Sequence, residues 1–257
     1  MIKNFVFDLG GVIIRFDGNY FIEREGITDP DDRRILLDNL FLSEEWPQMD
    51  MGDLNEEAFF AVLKKKLPER LLPAAEHLLF HWADPIEIIP ETQRFIKAAK
   101  KIGGKLWLLS NAPESIHKVL PKVSGLELFD GTVISADIHM AKPNADIFEY
   151  ALRKFGIRPE ESIFIDDRMV NVLGARKAGF HSWLYRETAG ETVTAHTETG
   201  DFAFAGSQEQ DLDQRISFAE TGEALILDSG KAIRLTKEGE LTECSYRLEG
   251  FGNHDRI

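Results

Sequence analysis

The chain has 257 residues, 43% of them hydrophobic and 29% charged, with a formal net charge of -14 at pH 7. That length accommodates a large α/β domain with an inserted or appended module. The acidic balance argues against a nucleic-acid partner, which requires a basic surface, and the apolar residues come in bursts too short for a helical membrane span.

Cys244 is the single cysteine, which excludes an internal disulfide framework. The first residues run directly into a buried-strand pattern rather than a signal peptide, so a reducing, bacterial-type cytoplasm is expected.

Phe5-Val6-Phe7 is a short apolar run that ends in Asp8 and Gly10-Gly11, which reads as a buried parallel strand followed by a tight loop. From Phe16 to Asp84 the pattern turns helical, with apolar residues three and four apart in Arg33 to Leu42 and Glu56 to Leu67. After Pro90 a helix runs to about Ile102, Gly103-Gly104 closes it, and Lys105 to Leu109 forms a strand ending in Ser110-Asn111. Alternation continues through a helix near Ser115 to Val123, a strand at Val133-Ile134 and a helix from Ala145 to Phe155. A strand from Ser162 to Ile165, a helix to Ala178 and a strand from Ser182 to Tyr185 complete it.

This order predicts an α/β fold: a Rossmann-like parallel sheet core made of residues 1–15 and 85–187, with residues 16–84 inserted as a helical cap. The composition then shifts to Thr, Glu, Gly and Gln, so 188–215 reads as a linker. Short strand-like runs separated by Gly turns predict a small β-rich appendage over 216–257 that packs on the main domain or pairs with another chain, and whose removal should spare the chemistry.

Ligands of parallel α/β sheets lie at the carboxyl ends of the strands. Asp8, Ser110 with Asn111, and Asp166 with Asp167 all follow apolar strands. Phosphoryl transfer through an acyl-phosphate needs a carboxylate nucleophile, a divalent cation and donors around the phosphoryl oxygens. The adjacent carboxylates of Asp166 and Asp167 repel unless a cation lies beside them, and Mg²⁺ suits such hard oxygen ligands. Ser110 equally suits a helix N-cap before Ala112-Pro113, which would itself make an anion site.

Four blocks in order carry a resemblance: Phe7-Asp8-Leu9-Gly10-Gly11-Val12, Leu108-Leu109-Ser110-Asn111, Ala141-Lys142-Pro143, and Phe164-Ile165-Asp166-Asp167 with Asn171 following. Together they resemble the haloacid dehalogenase superfamily over about the first 185 residues, apart from the insert. The resemblance implies that Asp8 is the nucleophile and a metal ligand, with Ser110, Asn111 and Lys142 holding the phosphate. It further implies that Lys142 offsets the charge of Asp8, and that Asp167, Asp166 and the Gly10 carbonyl complete the magnesium site. Asn171 is expected to orient the loop or Lys142.

One position departs from the pattern: most phosphatases of the superfamily carry a second Asp two residues after the nucleophile, where this chain has Gly10. A branch that includes bacterial sugar-1-phosphatases shares a Gly there, and the chain resembles it further in Trp46 and Met51-Gly52-Asp53. The expected function is therefore a magnesium-dependent phosphatase of small phosphate monoesters, with sugar phosphates as the favoured class. The alternatives are a non-catalytic phosphate-binding or regulatory protein, which Gly10 would permit, and a metal-independent 2-haloacid dehalogenase, which the Asp166-Asp167 pair disfavours.

Overall fold

Alternate residues of the first strand serve two different cores. In the computed structural model, which describes residues 1–188, 192–206, 212–219 and 221–250, β1 spans Asn4–Phe7 and is buried throughout. Phe5 and Phe7 pack on one face with Phe95 and Ile96, whereas Val6 packs on the other with Phe148 and Phe164. A strand covered on both faces has no polar alternation, which is why this one reads as a continuous apolar run.

Four further strands join β1 in parallel: β2 (Lys105–Ser110), β3 (Gly131–Ile134), β4 (Ser162–Asp166) and β5 (His181–Leu184). Their register aligns the strand ends. Phe7 lies opposite Leu108 of β2 and Ile165 of β4, so these strands finish together and Asp8, Ser110 and Asp166 emerge at one edge. Helix α6 (Pro90–Lys101) covers one face, while α8 (Ala145–Phe155) and α9 (Met169–Lys177) cover the other. The helix predicted over Ser115 to Val123 is instead a pair of 3₁₀ turns, Glu114–Lys118 and Leu120–Lys122. Pro121 explains the difference, because it lacks the N–H that a continuing α-helix requires.

Between β1 and α6 the chain forms helices α1 (Gly18–Arg24), α2 (Pro30–Leu36), α3 (Glu45–Asp50), α4 (Glu56–Lys66) and α5 (Leu72–His81). Asp17, Asp29 and Asn55 cap α1, α2 and α4 by accepting from backbone N–H groups of the first turns. Phe21, Leu36, Leu40, Phe59, Leu63 and Leu78 form a separate core inside this helical unit. The helical unit folds around its own apolar contacts. No described helix is long and apolar enough to cross a membrane.

The tail departs from the linker-and-appendage reading. Strands β6 (Thr192–Thr197) and β7 (Gly200–Ala205) form an antiparallel hairpin inside the stretch read as linker. Val193, Ala195, Phe202 and Phe204 are buried and alternate with exposed or half-buried residues, a period-2 signal masked by the polar composition. Strand β8 (Arg215–Phe218) joins the main sheet beside β5, and β9 (Ala224–Asp228), β10 (Lys231–Leu235) and β11 (Leu241–Cys244) continue it antiparallel. Strand β12 (Tyr246–Glu249) pairs with β6 instead. The result is a nine-stranded sheet in the order β11-β10-β9-β8-β5-β4-β1-β2-β3 and a three-stranded sheet β12-β6-β7. Residues 189–191 and 207–211 of the stretch read as linker, and 220 and 251–257 of the stretch read as appendage, lie outside the described residues.

Ile216, Ala224, Ile226 and Leu235 from the tail share the core that holds Phe5, Phe95 and Tyr185. Burying an Ile or Leu side chain contributes about 1.5–3 kcal/mol, so these residues together matter on the scale of a domain's net stability, about 5–15 kcal/mol. Deleting residues 189–257 should accordingly lower the melting temperature by about 10 °C or more, or render the chain aggregated. Scanning calorimetry and light scattering on full-length and truncated protein check this, and an unchanged melting temperature would return the tail to a passive role.

Candidate active site

The converging strand ends place Lys142 among three oxygens. Its ammonium lies 2.9 Å from Asp8 Oδ1 and 2.7 Å from Asp166 Oδ2, and donates to the Leu109 carbonyl at 2.9 Å. The Lys142 side chain has no exposed surface. Burial by itself would lower its pKa, but Asp166 and Asp8 outweigh that effect and raise it, so the group stays charged.

Asn111 holds this lysine in place through the backbone. Its Oδ1 accepts from Lys142 N–H and its Nδ2 donates to the Lys142 carbonyl, both at 2.9 Å. The side chain read as a phosphate ligand thus spans β2 and the lysine loop, while the residue still lines the cleft. Ser110 also lines the cleft and is almost wholly buried. The backbone N–H of Ala112 beyond it is bonded to Ser135 Oγ at 2.9 Å. No α-helix starts there, because a 3₁₀ turn begins only at Glu114.

Asp166 is fully enclosed, and its carboxylate is hydrogen-bonded on both oxygens. Oδ1 accepts from Arg168 N–H at 2.8 Å, Oδ2 accepts from Lys142, and Asn171 Nδ2 reaches Oδ1 and Oδ2 at 3.0 and 3.1 Å. Asn171 therefore orients Asp166, one step removed from Lys142. Asp167 is different: it keeps part of its surface and lines the cleft, with Arg186 donating to its backbone carbonyl at 2.6 Å. The same guanidinium stands 3.8 Å from Asp167 Oδ2.

Oxygens of Asp8, Asp166 and Asp167 all lie within 4.8 Å of one another. Burial, followed by the neighbouring carboxylates, pushes the pKa of Asp8 upward against the pull of Lys142, and burial with Asp166 raises that of Asp167 against Arg186, Lys142 and Arg168. Three clustered carboxyls beside one ammonium leave an excess of negative charge that a cation would relieve. The donor set is hard oxygen throughout and fits Mg²⁺, which favours carboxylates and retained water. Space supports the same reading. Gly11 has φ 71°, and a Cβ built on it would stand 2.5 Å from Asp167 Oδ2, so the turn after the first strand must be bare for that carboxylate to reach the cluster.

The cap closes over this edge to leave a cleft of about 180 Å³. Asp8, Leu9, Gly10, Ser110, Asn111 and Asp167 form the core side; Phe16, Phe41, Trp46 and Trp82 supply an aromatic side. Phe21, Phe59 and Phe60 are buried in the cap core instead. His117 pairs with Asp137 at 2.8 Å on the surface, away from the cleft lining.

Two charged cleft residues escaped the sequence reading, Arg168 and Asp50. Arg168 directly follows the recognised Asp166-Asp167 pair, and Asp50 directly precedes Met51-Gly52-Asp53. Adjacency to a recognised block was the available signal.

A buried Lys held between Asp8 and Asp166, with Asp167 beside them, at the carboxyl edge of a parallel sheet beneath a helical unit, is the arrangement of a hydrolase of the haloacid dehalogenase type. The family model for haloacid dehalogenase-like hydrolases matches residues 2–179, and the chain belongs to that family. Phosphoserine phosphatase of Thermus thermophilus is 31% identical over 140 residues, covering 52% of this chain and 56% of that protein. D-ribitol-5-phosphate phosphatase of Bacteroides thetaiotaomicron is 25% identical over 194 residues, covering 71% and 91%. A solved haloacid dehalogenase family enzyme from Bacteroides thetaiotaomicron, in complex with magnesium and inorganic phosphate, superposes with a TM-score of 0.55 at 23% identity, covering 74% of this chain and 97% of that one. The chain spans about half the length of several curated relatives it matches, and 34% of another.

Gly11→Ala should cost about 1–3 kcal/mol of stability from its left-handed backbone alone and displace the Asp167 carboxylate. Differential scanning fluorimetry should then show a lower melting temperature and a diminished upward shift on adding magnesium; an undiminished shift would remove Asp167 from the cation site.

Proposed function

We propose that the protein is a magnesium-dependent phosphatase of small phosphate monoesters, with sugar phosphates as the substrate class, acting through an aspartyl-phosphate on Asp8. The observation that carries this reading is the cluster of Asp8, Asp166 and Asp167 beside a single buried ammonium. Asp166 is engaged by protein donors, but Asp8 and Asp167 remain as carboxylates facing the cleft, and a cation between them and a phosphate dianion would offset that charge, whereas a displacement at carbon with a halide leaving group brings no such dianion.

Asp8 Oδ1 is occupied by Lys142 and by the Leu9 N–H at 2.7 Å, which leaves Oδ2 for the reacting centre. Attack of that oxygen on phosphorus breaks the ester P–O bond and releases the alcohol; water then attacks the same phosphorus, cleaving the Asp8 acyl-phosphate to inorganic phosphate. Lys142 stays protonated and offsets charge on Asp8. Ser110 offers a hydroxyl to the phosphoryl oxygens, and Asn111 keeps Lys142 in position. Asp8, Asp167, the Gly10 carbonyl and Asp166, the last directly or through water, would hold Mg²⁺. When bound it would neutralise charge between the carboxylates and the phosphate.

The aromatic wall of Phe16, Phe41, Trp46 and Trp82 offers apolar faces against which a sugar ring can lie, in a cleft sized for a small metabolite. The similarity to a phosphatase of D-ribitol 5-phosphate supports the same class.

A panel of phosphate esters and 2-haloacids, assayed with magnesium and then with chelator, tests the reading. Phosphate release should require magnesium, and Asp8→Asn should abolish it without unfolding the protein, since the amide fills nearly the same volume but cannot form the acyl-phosphate. Asp167→Ala should raise the magnesium concentration needed for half-maximal activity, with partial rescue at higher metal. Halide release or chelator-resistant turnover would overturn the proposal.

A further inference from the structure

We propose that Asp50, delivered by the cap, is the general acid and base of the reaction, the role left vacant at Gly10; this rests on the phosphatase reading above. A side chain at position 10 would crowd the helical insert, since a Cβ built there lies 3.1 Å from Phe16 Cβ and 3.4 Å from Phe16 Cγ. A larger, carboxyl-bearing side chain on the core there would have to displace Phe16, the first aromatic residue of the cap. The opposite wall supplies one instead: Asp50, the last residue of α3, lines the same cleft as Asp8 and Asp167.

Its placement is over-determined. Ser135 Oγ donates to the Asp50 carbonyl, and His139 Nδ1 lies 2.8 Å from the next carbonyl, that of Met51. Gly52 has φ 73°, and a Cβ there would stand 2.6 Å from the Ala136 carbonyl oxygen, so the end of α3 rests directly on the core helix α7 (Ser135–Ile138). The side chain that this contact presents is not a structural bridge: Asp50 Oδ1 is buried without a hydrogen-bond partner. An enclosed, unbonded carboxyl oxygen is costly when ionised. Burial pushes the pKa of Asp50 up to about 7, against the pull of Arg168 and then Lys142 from the core. The other charged groups nearby are the carboxylates of Asp8 and Asp167 in the cleft and, on the outer side, His139, which is 3.5 Å from Asp53.

A carboxyl that holds its proton near neutral pH suits both halves of the reaction. As Asp8 attacks phosphorus and the ester bond breaks, the Asp50 proton moves to the departing oxygen, giving the alcohol and the Asp50 carboxylate. In the second half the carboxylate takes a proton from the attacking water as the Asp8 acyl-phosphate opens, which regenerates the acid.

The test uses full-length wild type, Asp50→Asn and Asp50→Glu with magnesium, on p-nitrophenyl phosphate and on an alkyl ester such as glycerol 1-phosphate. Loss of a general acid should lower kcat/KM of Asp50→Asn on the alkyl ester by about 10²–10⁴ and on p-nitrophenyl phosphate, whose leaving group needs no proton, by no more than about tenfold. Asp50→Glu should recover part of the alkyl activity. Equal loss on both esters, or none, overturns the role of Asp50 while leaving the phosphatase reading intact; a wild type inert toward every ester removes both.

A second readout needs no turnover. A carboxyl whose folded pKa is raised gives up stability as pH climbs from its unfolded value toward about 7, and the loss then levels off. The melting temperature of Asp50→Asn relative to wild type, measured in chelator, should therefore rise between pH 4 and pH 7 and stay flat above. A difference that does not change with pH would mean the carboxyl is not held protonated, and the acid role would fall.

Discussion

The buried ammonium of Lys142 is the contact on which the site depends. It draws together Asp8 from the end of β1, Asp166 from the end of β4 and the Leu109 carbonyl from β2, three neighbouring strands of one parallel sheet. A charge with no access to water is tolerated only when it is fully paired and hydrogen-bonded. Lys142 meets that condition, and so does Asp166, which takes donors from Lys142, Asn171 and the Arg168 backbone. The geometry thereby divides the carboxylates into two kinds. Asp166 is saturated by protein, while Asp8 and Asp167 face the cleft with raised pKa values.

The cap completes what the sheet edge begins. Phe16 contacts Phe21, Phe41, Trp46 and Trp82 with ring centroids 5.1–6.2 Å apart, so the wall above Asp8 is a continuous aromatic layer. Arg15 lies just before this insert and pairs with Glu87 at 2.9 Å beside its end and with Glu187 at 2.9 Å after β5. The cap is thus tied to the core on either side of the cleft, at Arg15 and at the contact of Gly52 with Ala136.

The tail reaches the same site by a different route. Leu184 N–H donates to the Gln214 carbonyl at 2.9 Å, which extends the sheet beyond β5. Glu91 at the start of α6 accepts from the Tyr185 hydroxyl and from Thr188 Oγ1 at 2.9 Å, fixing the chain where it leaves the core. Arg186, between those two residues, is the one that reaches Asp167. Strands far from the chemistry therefore support the segment that touches the outer carboxylate.

By itself the sequence determined the parallel core and the polar residues at its strand ends. Apolar runs of strand length ending in Asp8, Ser110 and Asp166 express two local constraints, burial on both faces and polarity at strand ends, and both are written in consecutive residues. Which side chains meet was decided by tertiary structure. Strand register aligned Asp8 with Asp166, and a loop contact turned Asn111 toward the backbone of Lys142 rather than toward open cleft. Composition hid the tail, because Val193, Ala195, Phe202 and Phe204 alternate within a polar stretch and reveal themselves only once a partner sheet covers one face. Asp50 was equally hidden: an acidic residue at a helix end reads as surface, and only the packing of the helical insert on α7 brings it into the cleft that Asp8 lines.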